Sequence, residues 1–344
     1  MPNSLSIWQD AMTFPAMPDE EVPLVMQQCF TPDRMGVSLP AMVSLFQTLA
    51  FGLHLADDAF VARQTPMPLP SGDVARSLRE RMKIEGFFQV KPKKEDWGGL
   101  PLDAMRDLVV RLVEAGIPPV FAFVFDEFWL AYAKLRHVIA VALADTHYWQ
   151  LPDFWVWHVR ADAGEAGWDI HRDLGVRSLR PDGDAGAISV WIPLTYVDSF
   201  TGCMMLVPKD RDPEFGSGLV LQSDLDLRDI RALHGHAGDV MVWSQALMHW
   251  GSRGSGFSEQ PRISMSMGMQ RSDHAPFNQP LLRADILPRI GLRLELIAKQ
   301  LLQYEQAAGV APSWAQFARV TLASKLSELT YDLPPEWRLP VYNH

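Results

Sequence analysis

Cysteine is scarce in this chain: 344 residues hold two, Cys29 and Cys203, far apart and in no metal-like spacing. That argues against a disulfide framework, makes a buried free thiol the expectation for each, and suits a reducing compartment. Long apolar runs are missing too. The longest, such as Val138 to Ala144, are far too short to span a bilayer. The opening residues, "MPNSLSIWQDAMTFPAMPDEE", lack a basic start followed by an apolar core, so no secretory signal is expected and a cytoplasmic protein is. Positive charge is in deficit, with 31 Lys and Arg against 41 Asp and Glu for a net charge of −10. The balance argues against nucleic acid or an anionic membrane as partner. Internal repeats and low-complexity tracts are also lacking.

What remains is an ordinary globular composition, 48% apolar and 21% charged, with an unusual supply of tryptophan. The twelve tryptophans concentrate between Trp149 and Trp250. The first forty residues, rich in Pro and Met, read as an irregular arm over the surface. Helical spacing then runs through "AMVSLFQTLAFGLHLADDAFVARQ" until the prolines of "TPMPLPSGD" end it. It returns in "LDAMRDLVVRLVEAG", where Met105, Leu108, Val109, Leu112 and Val113 form a stripe that Gly116 stops. "DEFWLAYAKLRHVIAVALADTHYW" is the longest helical candidate. After Pro152 the texture changes to short aromatic or β-branched segments bounded by turns: "FWVWHVR", "AISVWIPLTYV", "CMMLVPK", "DVMVWSQ" and "RISMSMGMQ". Their spacing suggests a barrel or sandwich. From about Ala284 two further helical segments follow. Length alone allows two domains, but the expected plan is an α+β chain, a central β-barrel flanked by N-terminal and C-terminal helices.

The chemistry centres on "WDIHRDLGV". On an extended segment His171 and Asp173 share one face while Arg172 points to the other, so the pair can occupy adjacent corners of one metal. A third ligand must come from elsewhere among the ten histidines. His54, His137 and His147 fall on expected helices, and His344 is terminal. His249, in "LMHWGSRGSG" behind the strand "GDVMVWSQ", is the best match. Two His and one carboxylate leave positions open, the arrangement associated with non-haem Fe(II) oxygenases. Thirteen residues further on, "PRISMSM" puts Arg262 and Ser264 on one strand face. That guanidinium could grip a carboxylate bidentately, with help from the hydroxyl. A 2-oxo diacid chelating iron at one end needs such a partner for its other end, and 2-oxoglutarate is that diacid. A competing pair, His234 and His236 in "LHGHAGD", allows a cupin-like site.

"HRD", "GCMMLVPKDR", "AGDVMVW", "MHWGSR" and "PRIS", in that order, resemble the phytanoyl-CoA dioxygenase-like branch of Fe(II)/2-oxoglutarate oxygenases over roughly residues 154 to 271. The resemblance implies a double-stranded β-helix (jelly-roll) and a single oxygenase domain over 1–344. Its parts would be an arm and helices (1–153), a barrel core (154–271) and C-terminal helices (272–344). It implies His171, Asp173 and His249 as the Fe(II) ligands and Arg262, with Ser264 and Trp191, as the cosubstrate site. Gly202, Cys203, Gly238 and Asp239 match family turns. One departure is "VPKDR" at Val207 to Arg211 where many members have "VPGSH", which leaves the usual substrate-side geometry there open. Asp173 disfavours a halogenase, whose variant has a small residue at that place.

The function implied is hydroxylation of an unactivated C–H bond in a small organic metabolite, using O2 and releasing succinate and CO2. Desaturation or ring formation by the same iron chemistry is the nearest alternative, and a non-catalytic or cupin-like metal-binding barrel is a further one. Arg177 and Arg180, in the loop after the ligand pair, are candidate contacts to an anionic substrate, and His158 and Trp157 are further candidate substrate residues. The apolar terminal helices could pair two copies of the chain or only cover the barrel.

Overall fold

The computed structural model describes residues 23–31, 35–50, 52–217, 225–258 and 260–326. Most of the expected N-terminal arm, and His344, lie outside the described residues. The helix expected over 41–64 is two helices, α1 (Leu39–Leu49) and α2 (Asp58–Ala62). Gly52 at φ +85° and Ala56 at φ +54° are left-handed, which no right-handed helix can absorb. A third, α3 (Gly72–Ile84), is charge-rich and buries only Leu78 and Met82, too thin a stripe for periodicity to show. In α4 (Leu102–Glu114) the expected stripe is buried at Met105, Leu108, Val109 and Leu112, whereas Val113 is exposed. The segment from Asp126 to Trp149 is also broken. It forms α5 (Asp126–Lys134) and α6 (Arg136–Leu143), with Leu135 (ψ 5°) opening the ladder between them and Trp149 already in a strand. His54 and His147 therefore lie off the helices. Near the C-terminus stand α7 (Ile290–Gln303) and α8 (Pro312–Ala323).

Nine strands make two antiparallel sheets among the described residues. The larger has the order β1 (Phe87–Val90), β6 (Val240–Ser244), β3 (Ala187–Pro193), β8 (Arg262–Gln270), β2 (Trp149–Val159) and β9 (Leu282–Arg283). The smaller has β5 (Arg231–Leu233), β4 (Met204–Leu206) and β7 (His249–Gly251). The sheet thus reaches beyond 154–271 at both ends: β1 pairs with β6 from within the part expected to be helical, and β9 pairs with β2.

Alternation along each strand decides what faces what. In β8, Ile263, Met265, Met267 and Met269 join the main apolar core, while Arg262, Ser266 and Gly268 border a cavity on the other face. In β3, Ile188, Val190 and Ile192 do the first and Ser189 and Trp191 the second. The core face is covered from both ends of the chain: residues 119–124, α4 and α7 all pack on β2. Each fully buried Met or Ile there contributes roughly 1.5–3 kcal/mol. A buried ion pair ties these covers together. Arg293 of α7 meets Asp126 of α5 at 2.6 Å and donates to the Pro288 and Val124 carbonyls. On the opposite face, Trp191, Met241 and Trp243 pack against Met204, Leu206 and Leu233 of the small sheet.

Candidate metal centre and its cavity

The cavity between the sheets has a volume of about 640 Å³, and both sheets supply its lining. His249 opens β7, where Leu206 of β4 is its partner on one side. On the other side a single antiparallel bridge joins it to His171, each backbone N–H donating to the other's carbonyl at 3.0 and 2.9 Å. His171 and Asp173 lie in no named strand, but the bridge gives them the alternation of an extended segment. Arg172 turns away to pair with Asp212 at 2.6 Å and to donate to the Ala246 carbonyl.

His171, Asp173 and His249 place one ligand atom each within 4.8 Å of one another, the one such group among the described residues. Asp173 Oδ1 lies 3.3 Å from His171 Nε2 and 3.5 Å from His249 Nε2. Each imidazole is oriented from behind: Nδ1 of His171 meets the Asp169 carbonyl at 2.6 Å and Nδ1 of His249 the Leu247 carbonyl at 3.0 Å. A carbonyl only accepts, so both Nδ1 atoms carry the proton and both Nε2 atoms offer a lone pair inward. His171 Nε2 is buried with no hydrogen-bond partner. An orphaned acceptor beside a second imidazole and a carboxylate oxygen fits a divalent cation.

The charges agree. Burial opposes ionisation of Asp173, but the neighbouring imidazoles and the Ser189 hydroxyl outweigh it and hold the carboxyl well below its usual range. Burial pushes His249 down to about 4, only partly countered by Asp173, so it is neutral at pH 7. His171 is also opposed by burial, yet its contact with Asp173 carries it above its ordinary value. A cation at this point would compete with a proton for the Nε2 lone pair.

Behind the carboxylate runs a short relay that sequence reasoning missed. Ser189 Oγ donates to Asp173 Oδ2 at 2.6 Å, and Gln245 Nε2 donates to Ser189 Oγ at 3.3 Å. This leaves Oδ1 for the imidazoles. The signal was a serine on the inward face of β3, in register with Trp191.

Arg262 is 1% exposed and enters the cavity at the start of β8. One terminal nitrogen donates to the Gly202 carbonyl at 2.6 Å, while Nε, like Ser264 Oγ, is buried without a partner. Burial lowers its pKa to about 10, so it stays charged. No carboxylate contacts it among the described residues, and a buried guanidinium so placed calls for an anion. Glycine makes the room: a Cβ on Gly167 would stand 2.6 Å from the guanidinium, and one on Gly251 would stand 2.6 Å from the Gly167 Cα.

Trp191 and Trp157 line the cavity, and Arg177 borders it from an exposed position. Arg180 and His158 are not brought there. Arg180 faces Asp182 at 3.6 Å, and His158 lies on the face of β2 opposite Trp157. His234 and His236 are exposed, with no third ligand beside them among the described residues. Asp153, Trp155, Trp168 and Tyr304 also border the cavity and went unnoticed in the sequence.

Two imidazoles and one carboxylate converging on a shared point, with an anion-seeking arginine in the same cavity, define the class: a facial-triad metal site. The pattern of the family described as phytanoyl-CoA dioxygenase (PhyH) matches residues 65–262, and the chain belongs to that family. No curated protein matches the sequence. Among solved structures, the chain is similar to EctD from S. alaskensis with bound Fe, at 16% identity over 69% of this chain and 89% of that one, with a TM-score of 0.45. It is also similar to the epimerase SnoN in complex with Fe3+, alpha ketoglutarate and nogalamycin RO (17%, 63% and 89%, TM-score 0.43). A third is HygX from Streptomyces hygroscopicus with nickel, 2-oxoglutarate and hygromycin B (15%, 59% and 90%, TM-score 0.43).

Proposed function

We propose that the chain is an Fe(II)- and 2-oxoglutarate-dependent dioxygenase that hydroxylates a C–H bond of a small organic metabolite. In this reading the two sheets form a jelly-roll within one oxygenase domain, and the helices on either side in sequence cover its outer face. The observation that carries it is the inward convergence of His171 Nε2, His249 Nε2 and Asp173 Oδ1, with both Nδ1 atoms committed to backbone carbonyls.

His171, Asp173 and His249 would hold the iron. When bound, Fe(II) with 2-oxoglutarate and O2 supplies C–H oxidation, with succinate and CO2 released. Every other task falls to the protein. Arg262 and Ser264 take the distal carboxylate of 2-oxoglutarate, satisfying Nε and Oγ that otherwise stay buried and unpaired. Ser189 and Gln245 fix which oxygen of Asp173 faces inward. Trp191 and Trp243 exclude water around the ligands, and Trp243 lies 5.0 Å from the His249 ring.

Anaerobic addition of Fe(II) and 2-oxoglutarate should give a weak visible charge-transfer band. Asp173→Ala should abolish it and Arg262→Ala weaken it, with succinate formation following the same order. Iron binding that survives His249→Ala but is lost in His236→Ala would overturn the triad.

A further inference from the structure

The cavity has a second polar centre away from Arg262. Asp153 stands on β2, where the register slips between Gln150 and Phe154. Its Oδ1 accepts from Asn278 Nδ2 and Gln303 Nε2, each at 2.5 Å. Both direct partners are neutral amides. No cation touches this carboxylate among the described residues. Lys299, itself fully buried, reaches it only through the Asn278 carbonyl oxygen and spends its remaining reach on the Gln279 carbonyl. A carboxylate offers about four acceptor positions, so two donors on Oδ1 leave acceptor capacity for a ligand, and Asp153 borders the cavity.

The wall beside it is aromatic on several sides. Trp168 meets Tyr304 at 4.7 Å, Trp157 at 5.2 Å and Trp155 at 6.0 Å between ring centroids, and Trp155 meets Tyr304 at 5.5 Å. All four rings line the cavity. Aromatic rings lining a cavity attract cations to their faces. The other charged groups at the cavity are placed elsewhere. Arg172 is committed to Asp212, Arg262 sits beside Gly202, Arg177 is exposed to solvent at the rim, and Asp169 is exposed too.

We propose that this corner binds a protonated amine of the substrate, its ammonium bonded to Asp153 and flanked by Trp155, Trp157, Trp168 and Tyr304. The inference rests on the oxygenase reading above and names its substrate class: a small aminated compound. The triad lines the same cavity, so an amine anchored at Asp153 presents neighbouring carbons of the molecule to the metal.

The test uses the full chain loaded with Mn(II) and 2-oxoglutarate, and tryptophan fluorescence with hexylamine, 1-hexanol and hexanoate as probes of equal length and different charge. Hexylamine should bind saturably and at least tenfold more tightly than either other probe. Asp153→Asn should remove that preference, and Trp168→Leu should weaken hexylamine, both with Mn(II) affinity unchanged. Equal or tighter binding of hexanol or hexanoate, or full hexylamine affinity in Asp153→Asn, overturns the proposal. Mn(II) binding is followed separately by electron paramagnetic resonance, so loss of the metal centre itself registers as failure of the oxygenase reading and not of the amine site.

Discussion

Replacing Ser189 by alanine removes one oxygen and leaves all three proposed ligands in place. The lost bond, 2.6 Å from Ser189 Oγ to Asp173 Oδ2, joins a hydroxyl to an ionised carboxylate in a site where Ser189 is 5% exposed. Hydrogen bonds to charged groups are worth about 1.5–3 kcal/mol. At about 1.4 kcal/mol per factor of ten, the free carboxylate would rotate away from its ligating orientation at a cost of roughly 10- to 100-fold in metal affinity. Mutations of outer partners of metal ligands cost about the same. Titration of Mn(II) by electron paramagnetic resonance, in wild type and Ser189→Ala, measures the ratio directly, and thermal unfolding of both proteins without metal shows whether the fold is intact. A change in affinity of less than about twofold in a normally folded variant would refute the reasoning, since Asp173 would then hold its orientation unaided.

Gly251→Ala puts a Cβ 2.6 Å from the Gly167 Cα and 3.0 Å from the Arg262 guanidinium. It should destabilise by about 1–3 kcal/mol through overpacking, read by urea unfolding, and weaken 2-oxoglutarate binding more than Mn(II) binding. Arg293→Met strands the fully buried Asp126 carboxylate without its 2.6 Å partner. A loss of about 3–5 kcal/mol is expected in the same unfolding assay, and a wild-type midpoint would contradict it. Lys299 gives a pH signature. Burial lowers its folded pKa to about 8, partly offset by Asp153, whereas an unfolded lysine holds its proton to about 10.4. Between those values the unfolded chain binds more protons, so Lys299 makes stability rise with pH there. Unfolding free energies at pH 8 and 10 should rise more in wild type than in Lys299→Met, and equal slopes would rule the burial effect out.

The strands were legible where alternation was strong. "AISVWIP" and "RISMSMGMQ" set an apolar face against a face of serine, tryptophan and arginine, and β3 and β8 follow that alternation. Of the short strands only β4, within "CMMLVPK", was legible. β7 has three residues and β9 two, so their identity comes from partners across the sheet. Helix ends were misjudged for a related reason. Periodicity continued through Gly52, Ala56 and Leu135, where backbone conformation breaks it.

His171, Asp173, His249 and Arg262 could be named from the sequence because metal and carboxylate chemistry restricts residue type, and because few residues of those types stand in a compatible order. Ser189, Gln245 and Asp153 could not. Serine, glutamine and a lone aspartate have common uses on any surface, and only the meeting of β2, β3, β6 and α7 gives them work. The same limit explains Arg180 and His158, which lie close in sequence to cavity residues yet point elsewhere. The amino-acid order alone determined the class of chemistry, through the identity of groups able to bind a metal and an anion. The tertiary structure decided which atoms of those groups face one another, how burial shifts their charges, and which aromatic rings and carboxylate share the remaining space. Distances between segments far apart in sequence are set by packing, and no local pattern encodes them.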